Sequence, residues 1–307
     1  MTNPAAATDT QEASADAPDR LALGAFAGAV VIGGSNFVAI RYSNRELDPL
    51  WGAGLRFALA AVVFGALFAA LRLSFPRGRP LALILAYGLL AFAAAYGCLY
   101  WAMQEVTAGV AAVVMAIGPL LTLLLAVAHR MERLSSRALG GSLIALGGTA
   151  LIFFQPGSVD FGFGSFALLG IAALCASESV VVSKLAGRHH PVAMNFVGMS
   201  AGAAVLLVVS AAAGETLTLP ADGETQLALG YLVFATVGLF LLVLVVVQRW
   251  TASSTAYIFV TMPVVAIALG ALVADEEITL TTVVGGAIVC AGVYVGALAA
   301  RGPVTPE

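Results

Sequence analysis

Apolar residues fill this chain in long unbroken runs, with short polar breaks between them. Ten such runs lie near 21–41, 49–71, 80–101, 106–128, 137–155, 163–186, 191–213, 226–248, 252–274 and 279–300. Each is about 20 residues, which at 1.5 Å rise per residue spans roughly 30 Å of hydrocarbon. No run shows the alternation of a half-buried strand, and none confines its apolar positions to one face as a helix of a water-soluble domain does. The pattern predicts an all-α polytopic membrane protein of ten transmembrane helices. Residues 1–19 break it. They are rich in Ala, Thr, Asp and Glu, with neither a basic start nor an apolar core, and so read as a disordered tail in the cytoplasm rather than a signal peptide. Residues 302–307 read as a short cytoplasmic tail.

The runs repeat. Gln104–Gly148 laid without gaps on Gln248–Gly292, 144 residues further on, gives ten identities in 45 positions. They include Pro119/Pro263 and Glu132/Glu276, which keep the same separation in both copies. We divide the chain into repeat 1 (20–155) and repeat 2 (156–301), five helices each. Five is odd, so the second repeat must cross the membrane upside down relative to the first. Inverted repeats imply a pseudo-two-fold axis in the membrane plane, with a substrate site near mid-depth where the halves meet.

Composition strengthens the membrane reading. Hydrophobic residues are 61% of the chain, charged residues 10%, and mean hydropathy is +0.99; soluble domains carry about 25% charged residues. The net charge of −3 selects no partner and gives no reason to expect nucleic acid. The distribution of charge is more telling. With the N-terminus in the cytoplasm, eleven Lys and Arg fall in cytoplasmic segments and only Arg41 and Arg45 in outer ones, whose charges are mostly acidic. The positive-inside rule then places both termini in the cytoplasm, and the location expected is the cell's inner membrane. The three cysteines lie in apolar runs without motif spacing, which favours packing over disulfide or metal.

Candidate functional groups are those that break the apolar runs. Pro119 and Pro263 are expected mid-helix in the fourth and ninth helices, where proline removes a backbone hydrogen bond and kinks the helix; the freed carbonyls can face a cavity, or the kinks can merely aid packing. Glu178, between Ser177 and Ser179, is a carboxylate within the sixth helix. It reads equally well as a site for a proton or cationic group and as a structural pair. Arg56 lies some seven residues into the second helix, where snorkelling or pairing near the outer surface is the first expectation. Asn36, Tyr96, Tyr100, Phe240 and Tyr257 can line a mixed apolar and polar pocket, Tyr96 and Tyr100 sharing one helix face at i, i+4. Trp101 and Trp250, near helix ends, read as interfacial anchors. Glu132 and Glu276 precede Ser135 and Thr279 and read first as charges complementing the next helix N-terminus, and second as parts of a gate. His129, His189 and His190 fall in basic loops. There is no Walker lysine motif, GxSxG or HExxH, and neither a cofactor nor a metal is expected.

These residues carry a resemblance. IGGSNFVAIRYS at 32–43, LRFALAA at 55–61, and TAGVAAVVMAIGPLLTLLLA with its following Glu, repeated at 251–276, resemble the EamA-type transporters of the drug/metabolite transporter superfamily. The resemblance covers about 20–300. It implies ten helices in two inverted five-helix repeats, cytoplasmic termini, and export of small metabolites, often amino acids or related compounds. It also implies that helices one, three, four, six, eight and nine surround a cavity while five and ten lie peripherally. In the opening helix this chain has Ile32 or Gly33 where the family often has Trp.

The function expected is therefore secondary export of a small amphipathic metabolite by alternating access, with the lipid bilayer and the solute as partners and the proton as a further candidate. The alternatives are a membrane-embedded enzyme acting on lipid-linked substrates, motivated by Glu178 among serines with histidines nearby, and a membrane scaffold, against which the short loops speak. The sequence fixes no oligomeric state.

Overall fold

A computed structural model describes residues 19–43, 45–102, 104–105, 114–153, 163–273 and 280–298. Among them the chain is all helix, with no strand. In chain order the helices are α1 (Arg20–Ser43), α2 (Pro49–Ala70), α3 (Arg79–Ala102), α4 (Gly118–Ala128), α5 (Ser136–Phe153), α6 (Phe163–Leu185), α7 (Pro191–Ala212), α8 (Gly223–Arg249), α9 (Ala252–Val273) and α10 (Leu280–Val293, continued as a π-helix by Tyr294–Leu298). Five of them, α2, α3, α6, α7 and α8, are each long and apolar enough to cross a bilayer by length and composition. Nine of the ten expected runs match a described helix within three residues at each end. The exception is the fourth, expected over 106–128; residues 106–113 lie outside the described ones.

Local chemistry explains where the helices start and stop. Proline opens α2 and α7, where its missing N–H is no loss and its fixed φ suits the first turn. Asp222 caps α8, accepting from the backbone amides of Glu224 and Thr225 at 3.1 and 3.3 Å, and the His190 ring caps α7 through Val192 N–H at 3.3 Å. Gly187 and Gly214 end α6 and α7 at φ +84° and +77°, a region open to glycine without penalty.

The packing shows the duplication directly. Exchanging each helix with its counterpart five places on turns one set of neighbours into another. The pair α1–α8 becomes α6–α3, α1–α9 becomes α6–α4, and α2–α8 becomes α7–α3, while α2–α7, α4–α9 and α5–α10 map onto themselves; all of these helices are packed together. The α1–α2 turn is bonded to the α7–α8 segment: Leu50 and Trp51 amides donate to Glu215 at 3.1 and 2.7 Å, the Thr216 amide and hydroxyl donate to Asp48 at 2.7 and 2.6 Å, and Arg45 pairs with Glu224 at 3.2 Å. The Thr216 hydroxyl, then its amide, holds the Asp48 carboxyl below its ordinary value of 3.8. Since α2 runs from this first face to the other, the α2–α3 segment lies opposite its repeat counterpart, α7–α8. The repeats are inverted. A second face gathers Asp19, His129–Glu132, Lys184–His190 and Val247–Ser253.

Glycine sets how closely the halves meet. A Cβ on Gly88 of α3 would stand 2.2 Å from the Gly198 carbonyl oxygen of α7 and 2.4 Å from its Cα, so backbone touches backbone there. At the periphery Gly141 of α5 meets Gly292 and Gly296 of α10 in the same way. Without a hydrophobic effect between helices in lipid, such close van der Waals approach holds the bundle together.

Candidate functional site

The most unusual buried group is Arg56. It is 1% exposed, enclosed between α2 and α3 of repeat 1 and α8 of repeat 2. This corrects the expectation of a snorkelling side chain. Its Nε donates to Thr236 Oγ1 of α8 at 2.6 Å, and Nη1 reaches toward the Tyr100 hydroxyl at 3.5 Å. Its Cζ lies 5.5 Å from the Phe57 ring centroid and 5.9 Å from that of Tyr96, within range of cation–π attraction. Among the described residues no carboxylate pairs with it.

The surroundings are aromatic. The Phe57 ring packs edge-on against Tyr96 at 4.9 Å and tilted against Phe92 at 5.1 Å; Phe92 meets Phe240 at 4.8 Å and Tyr87 at 5.5 Å; Tyr96 meets Tyr100 at 6.1 Å. Phe92 sits in a wide π-helical turn, Leu89–Ala95, in the middle of α3. The extra residue per turn changes which side chains share a face before and after it. The Tyr87 hydroxyl donates to Asn195 Oδ1 of α7 at 3.1 Å, and Asn195 Nδ2 is buried without a partner.

Of the expected pocket residues, Tyr96 and Tyr100 lie beside Arg56, and Phe240 joins the same ring cluster through Phe92. Asn36 lies in α1, 5% exposed, its Oδ1 buried and unbonded. Tyr257 faces elsewhere: its hydroxyl bonds Ser142 Oγ at 3.0 Å and the Ala138 carbonyl at 3.1 Å, both in α5, and it occupies the space a Cβ on Gly296 would need. Pro119 lies in the first turn of α4, after a turn at Ala116–Ile117 that interrupts the helix entering it. Pro263 lies within the continuous α9. Gly33 of α1 packs against the Met262 side chain of α9, which a Cβ there would approach to 2.2 Å at Cε.

A narrow crevice runs between α4, α6 and α9. Met115, Gly118, Thr122, Ser177 and Phe259 are among its walls, and Thr122 Oγ1 is buried there without a partner. It lies toward the second face, where Glu178 is found. The Glu178 carboxylate bonds His129 Nε2 at 2.8 Å, just beyond the end of α4, and its other oxygen is buried and unbonded. Close by, Glu132 accepts from the Ser253 amide at 3.2 Å and its hydroxyl at 2.5 Å. Glu132 therefore serves the first turn of α9, in the other repeat, and not the start of α5 as expected; Ser135 serves α5 through Ala138 N–H at 3.4 Å. Lys184 Nζ donates to the carbonyls of Val247 and Trp250 at the end of α8, where the helix dipole favours a cation. Trp250 is itself 8% exposed, its ring 5.4 Å from Phe26, so it is a packing residue rather than an interfacial anchor. Arg249 pairs with Asp19 at 2.9 Å, which with the Ala22 amide holds that carboxyl below its ordinary value. The repeat equivalent of Arg249, Glu105, makes the matching bond on the first face, accepting from Ser165 at the start of α6.

Comparison with known proteins is consistent in one direction. The model of the EamA-like transporter family matches residues 20–154 and again 162–297. A probable amino-acid metabolite efflux pump of Escherichia coli K12 is 30% identical over 89% of this chain and 93% of its own length. The uncharacterized inner membrane transporter YedA of the same organism is 31% identical, covering 83% of this chain and 84% of its own. A probable terminal-alkyne amino-acid exporter of Streptantibioticus cattleyicolor is 28% identical over 86% of this chain and 89% of its own. A protein solved by crystallography, 19% identical, superposes with a TM-score of 0.79 over 93% of this chain and 99% of that one; it shows the shared fold.

Proposed function

The chain belongs to the EamA-like transporter family, and from that premise we propose that it exports small amphipathic metabolites, amino acids or close relatives, by alternating access. The observation that carries this reading is the exchange symmetry of the helix packing, with its two inverted halves meeting around buried polar groups. Two such halves can rock about their shared axis and expose a mid-depth compartment to either side in turn. The relatives whose names mention a cargo mention amino acids and their metabolites, which fits a wall of aromatic rings around one cation. The enzyme alternative falls with the family assignment; His190 is a helix cap, and the imidazole that meets Glu178 is His129.

On this reading the second face, which carries His129–Glu178, Lys184 and Arg249, is the cytoplasmic one, because the basic segments collect there. The His129–Glu178 and Glu132–Ser253 contacts then tie repeat 1 to repeat 2 beneath the crevice and close it from the cytoplasm. The α1 position equivalent to Glu178, 144 residues earlier, is Gly34, so repeat symmetry supplies no matching carboxylate to the other side. Glu178 is the candidate proton site, since a proton taken up there would cancel the carboxylate charge that His129 meets. Export is tested in cells: expression should lower the steady accumulation of labelled neutral amino acids and raise tolerance to toxic analogues. Equal accumulation with and without the protein, across a broad panel, would refute the proposal.

A further inference from the structure

We propose that the Arg56 guanidinium is the anchor for a carboxylate on the transported solute, which makes the solute class monocarboxylates with an apolar side group. This rests on the exporter reading and sharpens it. Arginine keeps its charge in any protein environment. A buried, unpaired charge costs several kcal/mol, and here the partners are one hydroxyl at 2.6 Å, a second at 3.5 Å and two ring faces. Five N–H donors in a planar fork suit a carboxylate, and among the described residues those the two hydroxyls leave make no other hydrogen bond. The rings of Phe57, Phe92, Tyr96 and Phe240 supply the apolar surface for the remainder of the solute.

Position adds a second argument. Arg56 is seven residues, roughly 10 Å, below the first-face end of α2, and Thr236 lies near the middle of α8. The Arg56–Thr236 bond spans the two repeats. A solute carboxylate arriving there competes with Thr236 Oγ1 for the guanidinium, so that binding loosens a tie between the halves that must part. A purely structural arginine has no such dependence on the solute.

The test uses purified full-length protein in liposomes, with flux of labelled leucine challenged by leucinamide or 4-methylpentanoate. The inference predicts that 4-methylpentanoate, which keeps the carboxylate and lacks the amine, inhibits. Leucinamide, which lacks the carboxylate, should be weaker by about tenfold or more. Arg56→Gln should flatten that difference, and Arg56→Lys should keep part of it. Leucinamide inhibiting wild type as strongly as unlabelled leucine overturns the inference whatever the variants do, as does full discrimination in a folded Arg56→Gln protein. Wild-type liposomes that carry no leucine or other neutral amino acid would refute the exporter reading itself, and the inference with it.

Discussion

Two charged residues inside the bundle differ in their surroundings. Arg56 is sealed among rings and hydroxyls, whereas Glu178 retains a 22% exposed side chain and a direct imidazole partner. On the proposal that Glu178 is the proton site, we expect Glu178→Gln to fold normally yet to change the pH dependence of transport. His129→Gln should move the same profile, since it removes the partner. Flux measured in liposomes across a pH series checks this, and a normal rate with an unaltered profile would take Glu178 out of the coupling step. Sequence alone grouped Asn36, Tyr96, Tyr100, Phe240 and Tyr257 as candidate pocket residues from their chemistry and depth, and could not separate those that lie near Arg56 from those that do not. It misjudged Arg56 because seven residues from a helix end is a distance a long side chain can span toward water. Only the neighbours, Thr236 from 180 positions away and the rings of α3, show that it turns inward. Tyr257 had the same signature as the other tyrosines; its hydroxyl partners in α5 are a product of tertiary packing.

At the scale of elements, the helices were legible because lipid demands that every spanning segment satisfy its own backbone, which leaves length and apolarity as sufficient signals. Departures from regular helix were less so. The π turn at Leu89–Ala95 lies in a run of alanines and apolar residues with no proline to announce it. The break before Pro119 was signalled by proline, yet Pro263 in the equivalent place lies in an unbroken helix. The contact between α3 and α7 is a backbone-to-backbone one and so is sensitive to substitution. Gly88→Leu drives a Cβ into the Gly198 backbone, which no rotamer change relieves, and should cost at least the roughly 1–3 kcal/mol of ordinary overpacking. Gly170→Ala in α6, with nothing within 4 Å of the new carbon, should be neutral or stabilising by up to about 1 kcal/mol through helix propensity. Thermal unfolding of the two purified variants separates them; equal midpoints would mean that the helices do not meet at Gly88.

For the whole molecule, the odd number of helices per repeat forces inversion, and the exchange symmetry of neighbours is its consequence in three dimensions. That much follows from the matched Pro and Glu positions 144 residues apart. What the duplication does not specify is how the copies differ. Repeat 1 supplies Arg56 and His129, repeat 2 supplies Thr236, Phe240 and Glu178, and each bonded pair crosses between them. The alternating-access proposal requires that solute bind only where both halves contribute, as a carrier does. Counterflow tests this most directly. Liposomes containing the protein and loaded with unlabelled solute should take up external labelled solute faster, and to a transient excess, than unloaded ones, with saturable dependence on concentration. Uptake that rises linearly with concentration and ignores what the liposomes contain would contradict an alternating carrier.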